Sequence, residues 1–279
     1  MKRWFITVYL LMLVGLLLLA LSKLDAPGAG LAALGLALGA GAPLAFFGWL
    51  MLARPARTDA HPVLVSVISG LGAVLTMGAV YRYGEQWQPF LLGAVLALAG
   101  WQIYLRWYSR QPRPTGIPVP GQPLPAFELS DSEGRTVSSR SLAGRAAILL
   151  FYRGNWCPLC TAQIRELAAQ WREIERRGAE LWLISSQSQQ HTRAIAERFD
   201  IPARFLRDVD NRAARSLGIE APGAAPAGME LLGYPADAAL PTVVVVDADG
   251  IVRFIEVAAN YRLRPDPGIY LSALDNSRR

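Results

Sequence analysis

The 279-residue sequence has only two cysteines and two histidines, and this scarcity excludes several kinds of site. Both cysteines, Cys157 and Cys160, lie in one C-x-x-C motif, so the chain has no framework of several disulfides. The histidines, His61 and His191, lie far from the cysteines in the sequence, whereas a closed zinc site needs four ligands. We therefore expect no metal ion.

Charge is also absent from long segments in the first part of the chain. Four such segments are close to or above the length at which a helix crosses about 30 Å of hydrocarbon. They cover roughly residues 4–21, 26–53, 62–81 and 86–105. They predict an all-α transmembrane domain of four helices within residues 1–108. Because the segments contain neither cysteine nor an ionisable side chain, an anchoring or assembly role is favoured over transport.

Lysine and arginine residues flank these segments unevenly. Seven fall at the N-terminus, between the second and third segments, and after the fourth: Lys2, Arg3, Arg54, Arg57, Arg106, Arg110 and Arg113. Only Lys23 and Arg82 fall in the other two loops. The positive-inside rule then predicts an integral protein of a bacterial inner membrane with its C-terminal domain in the cytoplasm. Cleavage of the first segment as a signal peptide would leave that domain on the same side.

The remainder of the chain has the composition of a soluble domain. Six prolines in residues 109–125 predict an extended, semi-rigid linker. In residues 126–279, strands are predicted at 126–130, 136–137, 146–152, 181–184, 204–206, 242–246 and 251–257. Helices are predicted at 158–177, 190–199 and 211–217, and residues 221–240 form an irregular insertion. A β-α-β unit followed by a hairpin and a last helix predicts an α/β domain with a mixed sheet flanked by helices.

The C-x-x-C motif follows a buried strand and opens a helix in this scheme. Unpaired N–H groups and the helix dipole stabilise an anion at the start of a helix. We therefore expect the pKa of Cys157 to be lowered and predict that Cys157 is the nucleophile. Cys160 is placed to resolve the resulting mixed disulfide or sulfenic acid. Trp156 is expected to shield the site and Arg153 to add positive potential. A purely structural disulfide is disfavoured, because it would close almost no loop.

Residues 151–160, FYRGNWCPLC, resemble the active-site segment of the thioredoxin superfamily, most closely its redoxin or AhpC/TSA peroxiredoxin-like branch. Further matching segments are 125–129, 207–208 with 213–219, and 240–242. The resemblance covers about residues 120–279. It implies a thioredoxin-like fold and dithiol chemistry without a bound cofactor, in which an external thiol donor restores the reduced form.

The resemblance also places Pro158 and Pro241 in the active site, and it implies a cis peptide bond at Pro241 that faces the cysteines. Such a bond would present the backbone of Leu240 to a substrate. Two positions depart from the peroxiredoxin pattern. Gly154 stands where Thr or Ser precedes the reactive cysteine by three residues, and Leu150 stands where Pro precedes it by seven.

The buried acid that thioredoxins often carry six residues before the first cysteine is absent, since that position is Phe151. Proton transfer to Cys160 would therefore need another polar group or water. Gln163, Ser186 and Gln187 are the candidates near the motif.

Together these features predict a membrane-anchored thiol–disulfide oxidoreductase or thiol peroxidase. Its expected partners are the lipid bilayer, a protein disulfide or a peroxide as substrate, and a soluble thiol donor. Nucleic acid is not expected, because the basic residues form no patch interleaved with aromatics. The alternative is a non-catalytic membrane redox sensor or assembly factor. A transporter with a regulatory redox domain is the third hypothesis, which the charge-free segments disfavour.

Overall fold

The computed structural model describes residues 1–26, 28–112 and 114–276. Pro27 of the second predicted span, Arg113 of the charge pattern and linker, and residues 277–279 lie outside the described part. The chain forms two compact units. One consists of Met1–Arg54 with Thr58–Arg110, and the other of Pro55–Arg57 with Gln111–Arg279.

The first unit is made of four long helices that follow the four charge-free segments. They are α1 (Lys2–Ser22), α2 (Gly30–Ala53), α3 (Val63–Tyr83) and α4 (Gln88–Ile103). A 3₁₀ turn (Glu85–Trp87) precedes α4 and a π-helical turn (Tyr104–Tyr108) continues it. Each of the four is long and apolar enough to cross a membrane. The helix bounds match the predicted segments to within a few residues.

A proline inside α2 leaves a backbone acceptor that α3 satisfies. Pro43 has no N–H, so the carbonyl of Gly39 one turn earlier cannot receive its usual helical hydrogen bond. The hydroxyl of Ser69 on α3 donates to this carbonyl at 2.7 Å, and Ser69 is fully buried. A side chain of the neighbouring helix thus stabilises the proline position in α2.

Ser69→Ala is therefore expected to destabilise the helical unit by about 0.6–1.7 kcal/mol, because the Gly39 carbonyl would lose its donor in an apolar environment. Unfolding of the full-length protein in mixed micelles, followed by circular dichroism, measures this change. Ser22→Ala is the control, since the exposed Ser22 bonds only to the Leu19 carbonyl of its own helix. Equal stability of the two variants would contradict this role for Ser69.

The second unit is built on a seven-stranded mixed sheet in the described residues, in the order β2-β1-β5-β4-β3-β8-β9. The strands are β1 (Glu128–Ser130), β2 (Thr136–Ser138), β3 (Ala146–Phe151), β4 (Ala179–Ser185), β5 (Arg204–Arg207), β8 (Thr242–Val246) and β9 (Val252–Val257). A separate pair consists of β6 (Glu220–Ala221) and β7 (Ala238–Ala239). Strands β3, β4 and β5 run parallel, and β8 lies antiparallel to β3. Central strands that are covered on both faces read as continuous apolar runs, which is why β3, β4 and β8 were predictable.

Helices of the second unit follow the predicted pattern with one difference. They are α5 (Pro158–Ala169), α6 (Trp171–Arg176), α7 (Gln189–Phe199), α8 (Arg212–Ser216) and α9 (Pro267–Asn276). The single helix predicted at 158–177 is wrong, because Gln170 leaves the helical conformation (φ −94°, ψ 8°) and separates α5 from α6. The pattern of apolar residues runs through this break, so the sequence did not show it.

The proline-rich segment is not a free spacer in the structure. The N–H groups of Gly121 and Leu124 donate to the carbonyls of Val252 and Gly250, each at 2.8 Å, and Val252 donates to Gln122 at 2.8 Å. These bonds dock the end of the predicted linker onto the β8–β9 hairpin. The end of this segment therefore belongs to the second unit and lies on the β9 side of its sheet.

Candidate active site

The two cysteines lie at the edge of the sheet where three neighbouring strands begin or end. Phe151 at the end of β3 pairs with Thr242 at the start of β8 and with Ile184 near the end of β4. The C-x-x-C loop, Pro241 and the segment after β4 therefore meet at one edge. The predicted β-α-β arrangement is thus what brings these distant segments together.

Cys157 and Cys160 are both buried and reduced. Cys157 is 2 % exposed and Cys160 is fully buried. Cys157 is the residue that caps α5, with an extended backbone (φ −91°, ψ 110°), and Pro158 fills the first helical position, where a missing N–H has no cost. The N–H groups of Cys160 and Thr161 donate to the Cys157 carbonyl at 3.1 and 3.2 Å. The motif thus folds as a tight first turn that keeps both side chains on one side.

The absence of a side chain at Gly154, one of the departures from the peroxiredoxin pattern, has a local steric explanation. It adopts φ +141°, and a Cβ at this position would lie 2.8 Å from Nε1 of Trp156. The indole of Trp156 thus occupies the space that a threonine side chain would need.

Arg153 links the C-x-x-C loop to two other segments of the domain. Its guanidinium lies 4.6 Å from the ring centre of Trp156 and 4.9 Å from that of Tyr261. It also donates to the carbonyl of Ala224 in the 221–240 insertion. At 7 % exposure it is a buried cation beside the cysteines, as the sequence predicted for its charge. Because Arg153 stacks on both rings, it also holds the Trp156 side chain in place.

A second buried arginine approaches the motif from the segment between β9 and α9. Nη2 of Arg264 lies 3.5 Å from Sγ of Cys160, Nη1 donates to Oε1 of Gln163 at 3.2 Å, and Nε donates to the Tyr261 carbonyl at 2.9 Å. Nε2 of Gln163 donates to the hydroxyl of Tyr270 on α9 at 3.1 Å. Sequence analysis missed Arg264 and Tyr270. Arg264 stands 104 residues from Cys160, and a buried arginine has no local signature that separates it from a surface one.

The segment after β4 supports the loop from the other side. Gln187 is fully buried, accepts from the Asn155 N–H at 2.9 Å and donates to the Tyr152 hydroxyl at 3.0 Å. Ser186 instead donates to the Asp237 carbonyl at 3.0 Å. Of the three polar candidates, Gln163 reaches Cys160 through Arg264, Gln187 positions the loop, and Ser186 fixes the insertion.

The thiol with the lowered pKa is Cys160, contrary to the prediction for Cys157. The hydrogen bond to Cys160, burial and the charge of Cys160 raise the pKa of Cys157 well above its ordinary value. Burial opposes ionisation of Cys160 as well, but the bond from Cys157, the charge of Arg264 and the backbone N–H of Arg153 lower its pKa to about 5. The hydrogen bond to Cys160 and burial therefore outweigh the charges of Arg153 and Arg264, which lower the pKa of Cys157.

The cis peptide bond expected at Pro241 is wrong, since the Leu240–Pro241 bond is trans. Both sides of this bond are tied into regular backbone pairing. The N–H of Leu240 donates to the Ile219 carbonyl at 2.7 Å, its carbonyl accepts from the Thr242 hydroxyl at 2.9 Å, and the Pro241 carbonyl accepts from Ala258 at 2.9 Å. Both the N–H and the carbonyl of Leu240 thus have partners within the domain. Pro241 does lie at the predicted edge of the sheet.

The described ranges contain no group of three or more His, Cys, Asp or Glu side chains that could hold a metal ion. The sulfur pair, two buried guanidinium groups and a surrounding layer of neutral hydroxyl and amide groups make up the site. This arrangement can store and release two electrons by forming and breaking one S–S bond.

Known proteins resemble part of this chain. A sequence model of the AhpC/TSA family matches residues 120–255. Chloroplastic peroxiredoxin Q of Sedum lineare is 30 % identical over 99 residues, which are 36 % of this chain and 53 % of that protein. Chloroplastic peroxiredoxin Q of Arabidopsis thaliana is 30 % identical over 137 residues, 48 % of this chain and 57 % of that protein. The chain thus spans about half the length of these curated relatives.

Two solved structures are also similar to part of this chain. Peroxidoxin BcpB of Mycobacterium tuberculosis is 21 % identical with a TM-score of 0.48, and the match covers 57 % of this chain and 97 % of that one. AhpC of Enterococcus faecalis is 20 % identical with a TM-score of 0.48, covering 58 % and 93 %. The family-model match and the peroxiredoxin Q relatives support the resemblance of this chain to the AhpC/TSA family, a redoxin family of the thioredoxin superfamily.

Proposed function

We propose that this chain is a membrane-anchored thiol peroxidase that reduces peroxides through a Cys157–Cys160 dithiol. The observation that carries the proposal is the reduced, buried cysteine pair at the start of α5, flanked by the buried cations Arg153 and Arg264. Cations beside sulfur stabilise a thiolate, which is the nucleophilic form. The match of residues 120–255 to the AhpC/TSA family model and the resemblance to peroxiredoxin Q support peroxide as the oxidant.

The catalytic cycle has three steps. Sulfur of Cys157 attacks the peroxide, the O–O bond breaks, an alcohol leaves, and Cys157 becomes a sulfenic acid. Cys160 then attacks that sulfur, the S–O bond breaks, and water leaves as the disulfide forms. An external dithiol exchanges with the disulfide and restores both thiols. No bound cofactor is needed, since the electrons come from the thiol donor.

The four apolar helices support the membrane part of the proposal. The lysine and arginine pattern favours a bacterial inner membrane with the redox unit on the cytoplasmic face, where soluble thiol donors are available. Without ionisable groups or cysteines in the apolar segments, the helices serve as an anchor and not as an electron path.

The alternative is a redox sensor or assembly factor that reacts once with a client protein. The near-complete burial of both cysteines beside the Arg153–Trp156 contact favours this alternative, because a client protein reaches the sulfurs only when the loop opens. A protein-disulfide reductase with the same dithiol differs from the peroxidase only in the oxidant.

Stopped-flow oxidation of the reduced, full-length protein in lipid nanodiscs separates these functions. The fluorescence of Trp156, adjacent to Cys157, is the readout for hydrogen peroxide, an organic hydroperoxide and an insulin-type disulfide. We expect oxidation by peroxide at least about 10²-fold faster than that of free cysteine. A peroxide rate no faster than free cysteine would refute the peroxidase, and fast exchange with the disulfide would then identify a reductase. Slow reaction with both, together with one dominant mixed disulfide in membranes carrying Cys160→Ser, would identify the sensor.

A further inference from the structure

Arg264 is a buried cation whose hydrogen-bond acceptors include no carboxylate. It is 6 % exposed, and within the described residues its guanidinium contacts the Tyr261 carbonyl, the Gln163 amide oxygen and the Cys160 sulfur. A guanidinium does not lose its proton in a protein. A buried charge is costly unless an opposite charge lies close to it. Among these three acceptors only the sulfur can become an anion.

The charges and hydrogen bonds of the groups around Cys160 favour an anion on its sulfur. Arg153 supplies a backbone N–H and a positive charge from the loop, and Cys157 supplies a hydrogen bond from the start of α5. Tyr152 at the end of β3 has its pKa raised by burial, as does Tyr270 of α9, so both hydroxyls stay neutral. The charged side chains that lower the pKa of Cys160 are thus the two cations Arg153 and Arg264.

The acidic group of the adjacent strand does not change this balance. Glu256 of β9 has its pKa raised by burial, and its charge acts on Tyr270. No ion pair links Glu256 to Arg264 within the described ranges. The carboxylate therefore does not satisfy the guanidinium.

We propose that Arg264 is the counter-ion of an anionic Cys160 in the reduced protein, and that Cys160 is the base that takes the proton of Cys157 when Cys157 attacks. Cys157 then stays protonated at rest and becomes a thiolate only in the reaction. The base role rests on the proposed function, whereas the charge pair itself does not.

The peroxide reaction balances in protons and electrons when Cys160 is the base. The Cys157 proton passes to Cys160, and the Cys157 thiolate takes oxygen from the peroxide as the O–O bond breaks. The leaving alkoxide takes the proton back from Cys160, which is again a thiolate. Cys160 then displaces hydroxide from the sulfenic acid, and the hydroxide takes up one proton from the buffered solution and becomes water. In total one thiol, one thiolate, one peroxide and one proton give a disulfide, an alcohol and water.

The charge pair also has a consequence for the redox equilibrium. When the disulfide forms, the sulfur loses its charge and Arg264 loses its counter-ion. Arg264 therefore favours the dithiol over the disulfide and makes the couple more oxidising. In the reduced state one sulfur carries no proton, so reduction takes up one proton for two electrons instead of two.

Titration of single-cysteine variants locates the anion. In full-length protein in nanodiscs, we expect the ultraviolet absorbance of a thiolate in Cys157→Ser at pH values where an ordinary thiol is protonated. Adding Arg264→Met should raise that pKa by roughly one to three units, and Arg264→Lys should retain most of the lowering. Arg253→Met is the matched control, since Arg253 of β9 pairs with Asp247 at 2.6 Å. A low-pKa thiolate in Cys160→Ser and not in Cys157→Ser would overturn the proposal.

The pH dependence of the reduction potential tests the same charge without any variant. A tenfold change in equilibrium constant corresponds to about 30 mV for this two-electron couple. Uptake of one proton therefore gives a slope of about 30 mV per pH unit near neutral pH, and uptake of two protons gives about 60 mV. We expect about 30 mV for the wild type. A wild-type slope of about 60 mV would overturn the proposal even if Arg264→Met does not fold.

The two hypotheses fail separately. A protein that does not reduce peroxide but shows the shallow slope would refute the proposed function and leave the Arg264–Cys160 pair standing. Fast peroxide turnover with a slope of about 60 mV per pH unit would support the proposed function and refute the Arg264–Cys160 pair.

Discussion

Cys157→Ser is expected to lower peroxide turnover by at least about 10³-fold, while Cys160→Ser completes one oxidation and then stops. Serine oxygen is too weak a nucleophile at neutral pH to replace the Cys157 sulfur. In Cys160→Ser the sulfenic acid forms on Cys157 but meets no second sulfur. The first oxidation in this variant should also be slower than in the wild type, because the proton acceptor beside Cys157 is gone.

Peroxide consumption by the full-length protein with an excess of dithiol donor gives the turnover of both variants. A sulfenic-acid probe and intact-protein mass spectrometry then report a single adduct on Cys160→Ser and none on Cys157→Ser. Ser141→Ala is the control, since this exposed side chain bonds only to the Ser138 carbonyl. Wild-type turnover in Cys157→Ser, or a stable sulfenic acid on Cys160, would reverse the roles assigned to the two cysteines.

Hydropathy and strand patterning were enough to place most elements of both units. The helices of the first unit follow from long segments without charge, which have the length and composition of membrane-spanning helices. In the second unit the runs at β3, β4 and β8 are apolar on both faces, which marks the centre of a mixed sheet. The break at Gln170 was not visible, since a helix and a kinked pair of helices share one pattern of apolar residues.

The site was predictable only where its residues are neighbours in the sequence. Cys157, Cys160, Trp156 and Arg153 lie within eight residues of one another, so a single motif carries them. Arg264 comes from a polar segment after β9, and only the packing of that segment against α5 makes it a buried cation. The lower pKa at Cys160 follows from the hydrogen bond of Cys157 together with the charge of Arg264, so the motif alone did not assign it.

Local steric detail was also hidden from the sequence. Gly154 looked like a missing threonine, and the structure shows that the Trp156 indole takes the space of the absent side chain. Pro241 looked like a cis proline by resemblance, yet the hydrogen bonds of Leu240 and Ala258 hold the chain in a trans geometry. The backbone partners of Leu240 and Pro241 lie in segments distant in sequence, whereas the Gly154 contact depends on the orientation of the nearby Trp156 side chain.

Gly72→Ala is expected to disrupt the packing of α2 against α3 in the helical unit. A Cβ on Gly72 would lie 2.5 Å from both the Gly35 carbonyl oxygen and the Gly39 nitrogen, and 3.0 Å from the Gly39 Cα. These are backbone atoms, which cannot rotate away as a side chain can, so the helices must separate. Separation would also break the bond from Ser69 to the Gly39 carbonyl. We expect a loss of at least about 3 kcal/mol, at the upper end of overpacking effects.

Gly70→Ala and Gly78→Ala provide matched controls on the same helix, because a Cβ at either position meets no atom within 4 Å. Alanine is a better helix former than glycine, so these variants should equal or exceed the wild type in stability, by up to about 1 kcal/mol. Unfolding of each full-length protein by a denaturing detergent in mixed micelles, followed by circular dichroism, ranks the three. If Gly72→Ala were as stable as Gly70→Ala, α2 and α3 could not meet at backbone distance, and the small residues of α2 would have no role in holding the four helices together.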